Sequence, residues 1–228
     1  MASNLKRGTT IRCDYLRCGC QQHIEDSTFM HFNNDRKVFW YEIPRNASSA
    51  IKRNLLGSQE YREHKCTPES GQKWARKSGF RQFAVIRNPF ARVLSMLGVF
   101  ERLPNRREAV FLTPTRMSYD TFVSKLKFHY DHHCEPQTVF LPHDLSDVTL
   151  IRLEDFEKDW NDFFSGHIVQ NGQSAAMALP PSARHWGPAS GNPSERLHLL
   201  SKQETYEMIL ELYKNDFEAL GYSKDLQC

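Results

Sequence analysis

The residues best suited to chemistry near the start of the chain lie in the stretch VFWYEIPRNASSAIKRNLLG, residues 38–57. A strand-like apolar run ends where loop one, which we define as residues 44–50, leads into a basic helix. The backbone N–H groups and the dipole at a helix start favour an anion. Ser48 and Ser49 would add hydroxyl donors, and Arg45 would add charge-assisted hydrogen bonds. Taken alone, the stretch is more typical of a plain turn with an N-capping serine. If it has a function, that function is to bind an anion.

A second candidate anion segment follows another strand-like run, residues 82–86. Arg87 ends that run, Asn88 is a good N-cap, and Pro89 is a good first residue of a helix. Ser95 follows Arg87 by eight positions on the predicted helix. Ligands of parallel α/β sheets bind at the carboxyl ends of the strands, so both segments are expected at the same edge of the sheet.

Together, the stretches IPRNASSAIKR and VIRNPFARVLS resemble the two cofactor motifs of sulfotransferases, specifically the membrane-anchored carbohydrate type and its soluble relatives. HHCEPQ, residues 132–137, is similar to the family's His-x-x-Pro-Gln segment, and LIRLEDFEKDW and LYKNDFEALGY resemble later parts of the family. The resemblance extends, with gaps, over about residues 34–222. It implies a P-loop-like sulfotransferase fold and in-line transfer of a sulfuryl group from 3′-phosphoadenosine 5′-phosphosulfate (PAPS) to an acceptor hydroxyl. The expected acceptor is a carbohydrate or another small molecule.

The resemblance also implies which residues bind the two ends of PAPS. The 5′-phosphosulfate is assigned to loop one, through Arg45, Asn46, Ala47, Ser48, Ser49 and Ala50. The 3′-phosphate is assigned to Arg87 and Ser95. Lys52 is either a second charge for the phosphosulfate or a solvated surface lysine. Positioning and charge stabilisation do most of the work in such transfers, so no metal is expected.

Three residues depart from the family pattern. Arg45 stands where lysine is usual, Asn88 where Asp or Glu is frequent, and Cys134 where tryptophan is frequent. Arginine keeps the positive charge, but it is bulkier and has forked donors, so the exchange is not neutral. These departures leave the cofactor prediction in place and leave the acceptor more open.

A general base should take the proton of the acceptor, and histidine suits this role near neutral pH. His133 is the first candidate, because it aligns with His-x-x-Pro-Gln. His64 is the second, because related heparan-type enzymes place a base between the two cofactor motifs. The chain has ten histidines, and most histidines are structural or exposed. Gln137 is expected either to orient the acceptor or to cap a turn.

Strands that alternate with helices predict a single-domain α/β fold with a central, mainly parallel sheet flanked by helices. We assign residues 1–36 to an irregular N-terminal segment and residues 37–228 to the sulfotransferase domain. Strands are predicted at residues 28–32, 37–43, 82–86 and 148–153. Helices are predicted at residues 49–56, from residue 89 towards Pro104, at 118–128, from 154, and from a capping box at 201–204 to Gly221. The Gly-, Pro- and Ser-rich residues 170–196 predict a long mobile loop, either a lid or a plain surface loop.

Composition restricts the class of protein further. The 228 residues carry a net charge of +3 and are 39% hydrophobic, which is typical of a globular protein and too weakly basic to indicate nucleic-acid binding. No apolar stretch has the ~18 residues of a membrane span, and the first residues do not resemble a signal peptide, so a soluble, cytoplasmic protein is expected; a segment of a lumenal enzyme would have the same features. The six scattered cysteines indicate reduced thiols. Cys13, Cys18, Cys20 and His23 lack the usual zinc spacing. The sequence leaves the oligomeric state open.

Two other classes of function compete with a sulfotransferase. A nucleotide-dependent phosphoryl-transfer enzyme would also need an anion-binding loop, but the chain has no G-x-x-x-x-G-K-[ST] motif. A non-catalytic relative would bind the nucleotide without turnover.

Overall fold

The structure is a computed structural model, and it describes residues 28–34, 36–55, 61–100, 119–127, 132–165 and 200–226. The strands are β1 Thr28–Asn33, β2 Val38–Tyr41, β3 Tyr61–Cys66, β4 Arg81–Ile86 and β5 Val148–Arg152. The helices are α1 Ser48–Leu55, α2 Pro68–Lys77, α3 Pro89–Phe100, α4 Tyr119–Leu126, α5 Phe156–Phe164, α6 Gln203–Leu212 and α7 Lys214–Ala219, and a 3₁₀ turn covers Gln137–Phe140.

The described strands form one sheet in the order β3-β1-β2-β4-β5. β2, β4 and β5 are parallel, whereas β1 runs antiparallel to both β2 and β3. The predicted α/β fold is therefore confirmed, with a sheet that is parallel where the candidate site lies and antiparallel on one side. Since β2 and β4 are parallel neighbours, their carboxyl ends bring loop one and Arg87 to the same edge.

The sheet is covered by helices on both faces, because successive side chains of a strand point to opposite sides. Phe39 and Tyr41 face a large apolar cluster that includes residues of α3, α4, α6 and α7. Trp40 and Phe83 face a second cluster built with Ile51 of α1 and several aromatic residues of α5. Burial on both faces explains the nearly continuous apolar runs of β2 and β4.

Most of the predicted elements are confirmed, including the short strand at residues 28–32 and the inward-facing Phe122 and Leu126 of α4. β3 and α2 were not predicted. The predicted start of the last helix is shifted, because α6 begins at Gln203 with Lys202, and not Ser201, as its N-cap residue. The last helix is also not continuous: it divides at Tyr213 into α6 and α7. The predicted loop at 170–196 lies outside the described residues.

Within the described ranges, no helix combines the length and the apolar character needed to cross a membrane.

Candidate active site

Loop one has an unusual backbone for residues other than glycine. Arg45 and Ala47 have positive φ angles of 72° and 64°, on either side of the buried Asn46. Such conformations cost free energy and are concentrated at functional sites, where the surrounding structure maintains them. The carbonyl of Ala47 accepts the first hydrogen bonds of α1, from the N–H groups of Ala50 and Ile51. The turn therefore ends directly in a helix start, as the sequence predicts, and the first N–H groups of that helix point out of its end.

Arg45 connects loop one to α3. Its guanidinium donates hydrogen bonds to the hydroxyl of Ser95 at 3.0 Å and to the carbonyl of Ser95 at 3.4 Å. These two residues were assigned to opposite ends of PAPS, and the structure brings them into contact. The two predicted anion segments therefore lie in contact with each other.

Asn88 fixes the start of α3 through both its side chain and its backbone N–H. The Asn88 carboxamide oxygen accepts a hydrogen bond from the N–H of Phe90 at 2.9 Å, which confirms the predicted N-cap. The N–H of Asn88 itself donates to Glu154 at 2.7 Å, and the hydroxyl of Tyr222 donates to the other oxygen of Glu154 at 3.1 Å. A carboxylate that follows β5 thus fixes the backbone of Asn88 at the start of α3.

Gln137 lies between the two segments, with its side chain fully buried. Its carboxamide oxygen accepts from the N–H of Arg87 at 2.9 Å and from the side chain of Asn46 at 2.6 Å. Its carboxamide nitrogen donates to the carbonyl of Arg87 at 2.7 Å. The expectation that Gln137 orients the acceptor or caps a turn is therefore replaced by a different role, since its described hydrogen bonds connect loop one to the end of β4.

Arg92 is a buried cation that sequence reasoning missed. Its guanidinium donates to the carbonyls of Pro44 at 3.2 Å, Glu135 at 2.7 Å and His133 at 3.0 Å. Burial lowers the pKa of Arg92, and the nearby Asp216 partly opposes that shift. One charged group thus holds the start of loop one against the segment that carries the candidate base.

Residues 133–138 are also held by the last two helices. The hydroxyl of Tyr213 donates to the carbonyl of Cys134 at 2.8 Å, and burial raises the pKa of that hydroxyl so that it stays protonated. The carboxylate of Asp216 accepts from the N–H groups of Gln137 at 2.8 Å and Thr138 at 3.0 Å. The similarity of LYKNDFEALGY to the family therefore has a structural counterpart, because this stretch supports the site.

The two candidate bases differ in what the structure describes. His133 is half-buried, its ring centroid lies 4.0 Å from that of His132, and its carbonyl is bound by Arg92. This contact brings the backbone of His133 close to Pro44 at the start of loop one. The backbone of His64 lies in β3, opposite Met30 of β1, and its side chain is outside the described part of the structure.

Lys52 is paired rather than simply solvated. Its ammonium group lies 2.9 Å from Glu42, whose same carboxylate oxygen lies 2.6 Å from the imidazole of His31. Burial alone would raise the pKa of Glu42, but the contacts with His31 and Lys52 outweigh burial and hold that pKa below its ordinary value. Glu42, two residues before loop one, is thus anchored to β1 and to α1.

Glu42→Gln is expected to lower the free energy of unfolding by about 1 to 2 kcal/mol at pH 7, because the amide loses the charge that both partners recognise. A carboxyl group with a depressed folded-state pKa stabilises the protein above its unfolded-state pKa, ordinarily 4.5, and that contribution disappears as the pH falls through the folded-state value. Urea unfolding at pH 7 and pH 3 checks this: the deficit of the variant should shrink at pH 3. Glu218→Gln, which changes an exposed pair, is the control. A deficit that does not depend on pH would contradict the prediction.

The described residues contain no group of three or more potential metal-ligating side chains that could hold an ion together. Cys13, Cys18, Cys20 and His23 lie outside the described residues.

A model of the sulfotransferase family matches residues 28–223, which include both anion segments, the 133–138 segment and α7. No curated protein and no solved structure matches the chain.

Proposed function

This chain belongs to the sulfotransferase family, and we propose that it transfers a sulfuryl group from PAPS to a hydroxyl group of a carbohydrate acceptor. The observation that carries the proposal is the contact between two anion-binding segments that follow neighbouring parallel strands. PAPS has anionic groups at both its 5′ and 3′ ends, so a site with two linked anion segments suits it.

The residues of loop one and α3 have the chemistry that such a ligand needs. The start of α1 offers N–H groups and a positive dipole to the phosphosulfate, and Arg45 offers a guanidinium. Arg87 and Ser95 offer charge and a hydroxyl donor to the 3′-phosphate. Since Arg45 already contacts Ser95, it lies where it can respond to the binding of either end.

In the proposed reaction, bound PAPS supplies the sulfuryl group. His133 accepts the proton of the acceptor hydroxyl as its oxygen bonds to sulfur, and the bond between sulfur and the 5′-phosphate oxygen breaks. Arg45 and the N–H groups at the start of α1 stabilise the negative charge that develops on that phosphate. The products are a sulfate ester, adenosine 3′,5′-bisphosphate and a proton on His133, which passes to solvent.

The proposal predicts a preference for nucleotides that carry a 3′-phosphate. Adenosine 3′,5′-bisphosphate should raise the melting temperature of the protein more than AMP does at equal concentration, because the ligand that binds the native state more tightly stabilises it more. Arg87→Ala should remove most of that difference and leave the response to AMP nearly unchanged.

Arg76→Ala is the matched control, because it also removes one positive charge. Arg76 is exposed and pairs with Asp144 and Asp147, away from the two segments. This variant should keep the preference for the bisphosphate. Equal shifts by the two nucleotides in the unmodified protein would contradict the proposed function.

A further inference from the structure

We propose that the hydrogen bond between Asn46 and Gln137 sets the distance between loop one and Arg87, and so selects a ligand with anionic groups at both ends. This inference rests on the proposed function and concerns how the same site tells one nucleotide from another. It assigns Asn46 and Gln137 as positioning residues. Asn46 thereby gains a role different from the direct contact with phosphosulfate expected from the sequence.

Asn46 and Gln137 bind backbone groups at the end of β4, at the point where β2 no longer pairs with that strand. The paired register of the two strands ends at Tyr41 and Ala84, because the chain then turns into loop one. The backbone of β4 continues, and its polar groups beyond Ala84 still need partners. The side chain of Asn46 donates a hydrogen bond to the carbonyl of Val85 at 2.8 Å. The side chain of Gln137 accepts from the N–H of Arg87 and donates to its carbonyl. Two carboxamides thus replace the missing strand.

These two carboxamides also bind each other. The Asn46 nitrogen lies 2.6 Å from the Gln137 oxygen, and both side chains are almost completely buried, at 1% and 0% exposed. Water cannot easily replace a hydrogen bond at such a position, so its loss leaves a buried polar group unsatisfied. The backbone of Gln137 is fixed in turn by Asp216. Loop one is therefore joined to Arg87 through a short, dry and rigid connection.

Rigidity matters for a ligand that binds at two places. When the first anionic group is bound, the second gains affinity only if its own site is already held at the matching distance. A ligand with one anionic group gains nothing from that spacing. The connection should therefore affect the ratio of the two affinities more than it affects binding at loop one alone.

The test measures the dissociation constants of adenosine 3′,5′-bisphosphate and AMP by calorimetry for the full chain and for Gln137→Met. The methionine has a similar length but makes none of the three side-chain hydrogen bonds. We expect the ratio of the AMP constant to the bisphosphate constant to fall about tenfold, mainly through weaker binding of the bisphosphate. Gln137→Glu keeps the acceptor oxygens but cannot donate to the carbonyl of Arg87 when ionised. Its ratio of dissociation constants should therefore fall by less than that of Gln137→Met.

A second pair of variants separates positioning from general loss of stability. Asn46→Ala should lower the ratio as Gln137→Met does, and the double variant should lose little more than either single variant, because both remove the same connection. Tyr41→Phe also removes a buried hydrogen bond, to Gln82, which does not involve loop one, Arg87 or Gln137. It should reduce stability without changing the ratio.

The outcomes distinguish this inference from the proposed function. If the unmodified protein shows no preference for the bisphosphate, the proposed function fails. If the unmodified protein prefers the bisphosphate and Gln137→Met keeps the full ratio, the inference fails while the function stands. A ratio that falls equally in Tyr41→Phe would also overturn it, since the effect would then follow stability alone.

Discussion

Replacing Arg92 by methionine is expected to lower the free energy of unfolding by about 3 to 5 kcal/mol, because three buried backbone carbonyls lose their charged donor. Arg92 is 1% exposed and donates to three backbone carbonyls, those of Pro44, His133 and Glu135. Methionine fills much of the space but satisfies none of these acceptors, and each buried acceptor left without a donor costs about 1 to 3 kcal/mol. Part of the chain that holds loop one should loosen as a result.

Urea denaturation followed by circular dichroism measures this loss. Arg92→Lys keeps the charge but has no planar fork of donors, so its destabilisation should lie between that of the methionine variant and zero. Arg76→Met is the matched control, since its exposed pairs with Asp144 and Asp147 are screened by solvent and should contribute little to stability. Equal stabilities of Arg92→Met and Arg76→Met would show that the three carbonyls do not depend on the buried guanidinium.

His133→Ala is expected to lower kcat by about 10² to 10⁴, the usual contribution of a positioned general base, while binding of adenosine 3′,5′-bisphosphate stays within about twofold. The substitution is well suited to this question, because Arg92 binds the carbonyl of His133 and not its ring. The backbone connection to loop one therefore survives when the imidazole is removed. Rates of sulfuryl transfer to a carbohydrate acceptor, with the nucleotide affinity measured in parallel, separate chemistry from binding.

Two histidine variants provide the comparison. His143→Ala removes an almost fully exposed imidazole and should keep full activity. His64→Ala tests the second candidate base. If His133→Ala remains active while His64→Ala does not, the base is His64, and the proposed function stands with its proton acceptor reassigned.

The parts of the fold that the sequence predicts well have strong local signals. β2 and β4 are short apolar runs, and α3 begins with the asparagine cap and proline expected at residues 88 and 89. β3 was missed because YREHKC is mostly polar and is a strand through its pairing with β1, a contact that no local pattern reveals. The division of the last helix at Tyr213 likewise depends on packing against the rest of the protein.

In the candidate site, too, residues within short motifs were predicted, whereas residues that act on distant parts of the chain were not. The resemblance assigned Arg45 to one end of PAPS and Arg87 and Ser95 to the other, and the hydrogen bond between Arg45 and Ser95 is a contact that this assignment did not predict. Asp216 and Tyr213 were not predicted as site supports because they act on backbone groups about 80 positions earlier in the chain. Arg92 offered one usable signal, since a cation inside the otherwise apolar start of α3 should have a buried partner.

During biosynthesis, loop one leaves the ribosome long before the residues that complete its support. Asp216 follows Asn46 by 170 positions, so at typical rates of translation roughly 10 to 30 s separate the two. Until α7 is made, the N–H groups of Gln137 and Thr138 lack the Asp216 carboxylate that accepts their hydrogen bonds. The backbone of Gln137, which connects to loop one through its side chain, then lacks this support. A nascent chain that stops short of α7 is therefore expected to form the sheet strands without the preference for a nucleotide that carries anionic groups at both ends.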